Sequence, residues 1–159
     1  MSSPSLHYWD SNTFINIIQG NEPDGGNDLR QTVDMLHRGL LRVVTSTFTL
    51  AEVVRPRRWS NPSLNPSEAN RVIQVFNDPN IMLIDLTEHI ASRGRQLQWA
   101  LNIKPADSIH VSTAEFAKVA KLETYDEPLI TNVNGADSSI FRHPFEIGHP
   151  QPSVPSLNL

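Results

Sequence analysis

The chain has 159 residues, no cysteine and a formal net charge of −4. That length suits one domain with a real core, and the lack of cysteine excludes disulfides, thiolate nucleophiles and zinc–thiolate centres, which fits a cytoplasmic protein. The acidic balance argues against avid, sequence-independent nucleic-acid binding. No stretch is long and apolar enough to cross a bilayer, and residues 1–5 carry no basic-then-apolar leader.

In chain order, residues 6–9 read as a short buried strand, and Asp10 or Ser11 can cap the helix that follows. Phe14, Ile15, Ile17 and Ile18 face inward on that helix, and Gly20 ends it. Residues 21–26 form a Gly-, Asn- and Pro-rich loop. A second helix covers 28–38, with Leu29, Val33, Leu36 and Leu40 on one face and Gly39 at its end; 42–45 is a short β-branched strand. The hydroxyl-rich run from Ser46 opens a helix closed by Pro56, and Thr49 followed by Glu52 fits a capping box. After a loop over 57–66 comes a helix over 67–76 capped by Ser67, a turn over 77–80 and a strand over 81–86. A long helix over 87–101 points Ile90, Leu97 and Leu101 inward, with Gly94 in its middle. A break at 103–106 precedes a helix from Asp107 to about residue 120, then a strand over 122–125 and a last short strand at Leu129 and Ile130. The Pro-rich segment from His143 reads as extended and irregular. The expected organisation is one domain over 1–142 and a tail over 143–159. Alternating strands and helices imply a three-layer α/β/α protein with a mostly parallel central sheet.

In such a fold ligands bind outside the carboxyl ends of the strands. Asp10 and Asp126 each follow a strand, while Glu52 and Asp107 sit in helices able to face the same edge. Glu52 has two readings at this point: a cap of its own helix, or a member of an acidic site. Carboxylates suit hard divalent cations such as Mg²⁺ and Mn²⁺. The four acids also account for the net negative charge of the chain.

Four motifs in order, Asp10-Ser11 after an apolar strand, Thr49-Leu50-Ala51-Glu52-Val53, Ala106-Asp107-Ser108-Ile109-His110 and Leu122-Glu123-Thr124-Tyr125-Asp126, resemble the PIN-domain ribonucleases, and in particular the VapC toxins of toxin–antitoxin pairs. The resemblance runs from Leu6 to Ile130. It implies metal binding and catalysis by Asp10, Glu52, Asp107 and Asp126, with Ser11 and Thr124 ordering the site. It further implies a Mg²⁺- or Mn²⁺-dependent endoribonuclease acting on RNA, inhibited by an antitoxin protein, and a homodimer.

His110 lies one turn after Asp107 on the same face; the plainer reading is a helix histidine bonded to a neighbouring group. Arg55, Arg57 and Arg58 beside Trp59 form the densest basic cluster and are RNA-binding candidates, with a solvated loop as the alternative. Arg93 and Arg95 come next. Asp85 and Asp137 are left outside the site. Two competing functions remain open here: a non-catalytic RNA- or protein-binding domain of the same fold, and a phosphatase resembling the haloacid dehalogenase group, whose Asp-x-Asp-x-Thr element Asp10-Ser11-Asn12-Thr13 matches except at Asn12.

Overall fold

The computed structural model describes residues 3–54 and 66–152. Five strands form one all-parallel sheet among these residues: β1 (Ser5–Trp9), β2 (Leu41–Ser46), β3 (Ile81–Ile84), β4 (Lys121–Glu123) and β5 (Glu146–Gly148), in the spatial order β3-β2-β1-β4-β5. The helices are α1 (Ser11–Gln19), α2 (Asp28–His37), α3 (Thr47–Glu52), α4 (Pro66–Val75), α5 (Glu88–Leu101), α6 (Pro105–Ala117) and α7 (Glu127–Asn134). None of them is long and apolar enough to cross a membrane.

Successive side chains of a strand point to opposite faces, and both faces of a parallel sheet need cover. Tyr8 and Val44 therefore enter one core with Leu97, Leu101, Val111 and Leu129 from α5, α6 and α7. Their neighbours Trp9 and Val43 enter the other core with Phe14, Ile18 and Leu36 from α1 and α2. This is the three-layer arrangement expected from the alternating pattern.

The sheet grows from β1 through β2 to β3, after which the chain crosses to the far side of β1 for β4 and β5. The strand order thus reverses between β1 and β4. The two are joined by the pairs His7↔Lys121, Tyr8↔Leu122 and Trp9↔Glu123. A reversal of this kind opens a crevice at the carboxyl ends of the two strands.

Local chemistry moves several expected boundaries. Leu129 and Ile130 lie in α7 and not in a strand: Asp126 caps the helix by accepting the Leu129 N–H, and Pro128 sits in the first turn, where its missing N–H costs nothing. The segment read as an irregular tail contributes β5, which pairs with β4 on the sheet edge, where flanking prolines are tolerated. Ser46, accepting the Phe48 N–H, caps α3; Thr49 lies inside that helix and bonds Thr45, so the Thr49–Glu52 capping box does not form. Helix α4 begins at Pro66, which places Ser67 inside it, and β3 stops at Ile84. Leu40 is half exposed beyond the end of α2. Helix α6 starts at Pro105, a favoured first position, and ends where Lys118 turns left-handed at φ 55°.

Gly94 of α5 packs against Ser108 of α6. A Cβ placed there would lie 3.2 Å from the carbonyl oxygen of Ser108 and 3.4 Å from its hydroxyl. Gly94→Ala gains about 1 kcal/mol of helix propensity but overlaps helical backbone, which costs roughly 1–3 kcal/mol. A net loss of about 1 kcal/mol is expected, read as a melting temperature lower by a few degrees. An unchanged or higher value would mean that the two helices part freely.

Candidate active site

The site is built at the reversal between β1 and β4. The strand β1 ends in Trp9, which has no exposed surface and donates its indole N–H to Glu123 Oε2 at 2.6 Å. The next residue, Asp10, caps α1. Its Oδ1 accepts the Thr13 N–H at 3.0 Å, and its Oδ2 accepts the Thr124 hydroxyl at 2.5 Å; the Thr13 hydroxyl lies 3.2 Å from Asp10 Oδ1 and 2.9 Å from the Glu123 carbonyl oxygen. Thr124, fully buried just past β4, also accepts the backbone N–H of Asp126 at 3.0 Å. One hydroxyl therefore joins the ends of both strands.

A cleft of about 360 Å³ opens here, lined among others by Asp10, Ser11, Asn12, Asp107, His110 and Asp126. Burial holds the Asp10 carboxyl above its ordinary range, outweighing the opposing pull of His110 and the bonds from Thr124 and Thr13. Asp107, in the first turn of α6, is raised as well. Burial is the largest cause, the negative charge of Asp126 adds to it, and His110 and Lys104 oppose it. The fold thus brings Asp10, Asp107 and Asp126 to one cleft, and Ser11 and Thr124 stand beside Asp10.

Glu52 is placed differently. It ends α3 and does not line the cleft; its Oε2 bonds His110 Nε2 at 2.7 Å. The other ring nitrogen of His110 meets Tyr8 Oη at 2.7 Å, and that oxygen also accepts the Ser46 N–H at 3.2 Å. Burial disfavours charge on His110, but Tyr8, Glu52 and Asp10 outweigh it and push its pKa up to about 10. Protonated, the ring donates on both sides; neutral, it accepts the Tyr8 hydroxyl and still donates to Glu52. His110 is therefore the side chain through which Glu52 reaches the cleft, a role that its position one turn after Asp107 only hinted at. Tyr8 carried no signal in the sequence, because its partner lies 102 residues away.

The donor set fits a hard divalent cation. Buried carboxyls that resist ionising in the bare protein are relieved by a cation beside them. Among the described residues no three His, Asp or Glu side chains form a ready-made coordination set. An ion held by one or two carboxylates with water completing its shell is the usual arrangement for Mg²⁺. Arg55, Arg57, Arg58 and Trp59, the basic cluster expected to touch RNA, and Pro56, the expected helix stop, lie outside the described residues.

A three-layer α/β/α protein with an acidic cleft at its switch point is the class that fold and site define. The PIN domain family matches residues 8–132, and the chain belongs to that family. No curated protein matches it. Among solved structures it is similar to Mycobacterium tuberculosis VapC20, described as a sarcin-ricin loop cleaving toxin, with a TM-score of 0.60 and 10% identity over 82% of this chain and 96% of that one. It is similar to VapBC2 from Rickettsia felis, bound to a promoter DNA fragment, with a TM-score of 0.60 and 12% identity over 89% and 96% of the two chains. A toxin–antitoxin complex from Klebsiella pneumoniae gives 0.54 and 20% identity over 77% and 86%. Family membership sets aside the haloacid dehalogenase alternative.

Proposed function

We propose that this protein is a divalent-metal-dependent endoribonuclease, the toxin of a cytoplasmic toxin–antitoxin pair. The observation that carries the reading is the meeting of Asp10, Asp107 and Asp126 in one cleft, with Asp10 and Asp107 both resisting ionisation in the bare protein. Asp10, Asp107 and Asp126 are the residues that would hold Mg²⁺ or Mn²⁺, with Glu52 acting through His110. When bound, such an ion supplies Lewis acidity toward a phosphodiester and a water activated near neutral pH.

The chain's own residues prepare that chemistry. Thr13 and Thr124 fix both oxygens of Asp10, so its remaining lone pairs keep one direction. Asp126 is held by its cap bond to Leu129 N–H and by its own N–H on Thr124. The charge on His110 offsets part of the carboxylate repulsion toward an incoming phosphate. Asn12 lines the same cleft, its Oδ1 held by the Asn16 amide at 3.0 Å, and offers its own amide N–H groups to a ribose or phosphate. An antitoxin partner is supported by the toxin–antitoxin complexes of similar fold. A homodimer completes the proposal.

The test is digestion of total cellular RNA with Mg²⁺ or Mn²⁺, repeated with a chelator, followed by sequencing of the cut ends. Discrete ends that vanish with chelator are expected. RNA left intact in every condition would favour the non-catalytic, binding-only domain.

A further inference from the structure

The cleft gathers negative charge, so a polyanionic strand needs cations elsewhere. Helices α5 and α6, with the segment after Ile140, enclose a second cavity of about 240 Å³ with the opposite balance. Arg93, Lys118 and Arg142 line it, and Glu115 is the one carboxylate in that lining. Glu115 is already committed: its carboxylate accepts Arg93 Nε–H at 2.7 Å, Arg93 Nη2–H at 3.0 Å and the Arg142 backbone N–H at 2.9 Å. A guanidinium has five N–H donors. Two of those of Arg93 go to Glu115, one to Ile140 O and one to Gln96 Oε1. The fifth, on Nη1, has no acceptor among the described residues, although the side chain is only 13% exposed. The side chains of Lys118 and Arg142 make no direct ion pair among the described residues, although the charge of Arg142 helps to hold Glu115 ionised. Beside them Phe116 is 53% exposed and His143 completes the rim.

We propose that this cavity is a subsite for a backbone phosphate of the RNA strand cut in the cleft. The inference rests on the nuclease reading. An excess of cations over the single carboxylate, next to an exposed aromatic face, matches a phosphate and its neighbouring base, a repeat that single-stranded RNA presents and an acidic protein segment does not. Lys118 lies eleven residues beyond Asp107 along α6, roughly 16 Å at the helical rise. That is about five nucleotides of stacked strand. A strand longer than this engages both places, and a dinucleotide engages only the cleft.

The variant Lys118→Gly with Arg142→Gln tests the assignment. Lys118 has a left-handed backbone that glycine adopts freely, and Arg142 is exposed, so the charges are removed without disturbing the fold. Thermal melts check this, and Arg142→Gln alone serves as the milder form. Binding of a single-stranded RNA of about 20 nucleotides is measured against salt in the Asp10→Asn background, and dinucleotide cleavage in the otherwise wild-type background. The double variant is expected to bind roughly tenfold more weakly, with the salt slope lower by about 0.7, and to cleave the dinucleotide at the wild-type rate. Arg142→Gln alone should lower the slope by about half as much. If wild type cleaves RNA but the double variant binds the long strand with unchanged affinity and slope, the subsite is wrong. If the double variant loses binding to an Asp- and Glu-rich peptide while RNA binding holds, the cavity belongs to a protein partner and the subsite is again wrong. If wild type with Mg²⁺ or Mn²⁺ cleaves neither RNA, the nuclease reading itself fails and takes the subsite with it.

Discussion

Asp10→Asn is expected to lower RNA cleavage by roughly 100-fold or more, while the metal-free protein melts no lower than wild type. The two halves of this result have different causes. Asparagine keeps the Oδ1 acceptor for the Thr13 N–H, so the α1 cap survives. Its amide replaces the oxygen that faces Thr124, whose hydroxyl can turn from donating to accepting. What is lost is the negative charge. Burial raises the pKa of Asp10 in the folded protein, so the folded state holds this proton more tightly than the unfolded chain does. The contribution to stability is therefore present at low pH and lost as pH rises above the ordinary carboxylate range. Near neutral pH, removing the charge relieves that penalty. Parallel assays of cleavage and of metal-free melting read both halves. A large fall in metal-free melting temperature would make Asp10 a structural residue. Asp10→Ala, by contrast, should lose activity and also about 1 kcal/mol of cap stability.

His110→Gln is expected to lower the melting temperature by roughly 5–10 °C and to flatten its pH dependence. The ring is almost wholly buried and bonded on both sides, to Tyr8 and to Glu52. Glutamine cannot span both partners, and a loss of about 2–3 kcal/mol follows for a chain of this size. The pH effect has a definite sign. His110 is raised from 6.5 to about 10, so its contribution is full below about 6.5 and disappears as pH climbs through about 10. Asp10 and Asp107 act in the same direction, because raised carboxyls also favour the protonated, folded form. Metal-free wild type should therefore melt progressively lower from mildly acidic to alkaline pH, and the variant should lose the upper part of that slope. Parallel slopes for the two proteins would show that His110 carries no charge in the folded state.

Most of the fold follows from patterns local to each element. The apolar run before Asp10, the Gly20 stop and the inward Ile90, Leu97 and Leu101 are each a short-range signal, and each is found in place. The failures are physical too. Leu129 and Ile130 are β-branched or apolar but sit behind an Asp cap and a proline, and the cap decides. Three strand residues bracketed by prolines read as irregular until an open edge, that of β4, is there to receive them. In the site, Asp10, Asp107 and Asp126 were legible because strand ends and a helix start place them. Glu52 was legible as an acid but not in its attachment, since the histidine that holds it is 58 residues away. The Tyr8–His110 contact is longer-range still and had no local trace.

The pairing of β1 with β4 sets the scale of everything at the cleft. Asp10 is the first residue after one strand, Asp126 comes three residues after the other, and the strands lie side by side through three register pairs. Adjacent strands stand about 4.8 Å apart, a distance fixed by peptide hydrogen bonds and independent of side-chain identity. The two acids thus hang from a ruler made of main chain. Substitutions in either core can erode stability long before they alter this spacing, so loss of melting temperature and loss of site geometry should separate cleanly across a set of core variants.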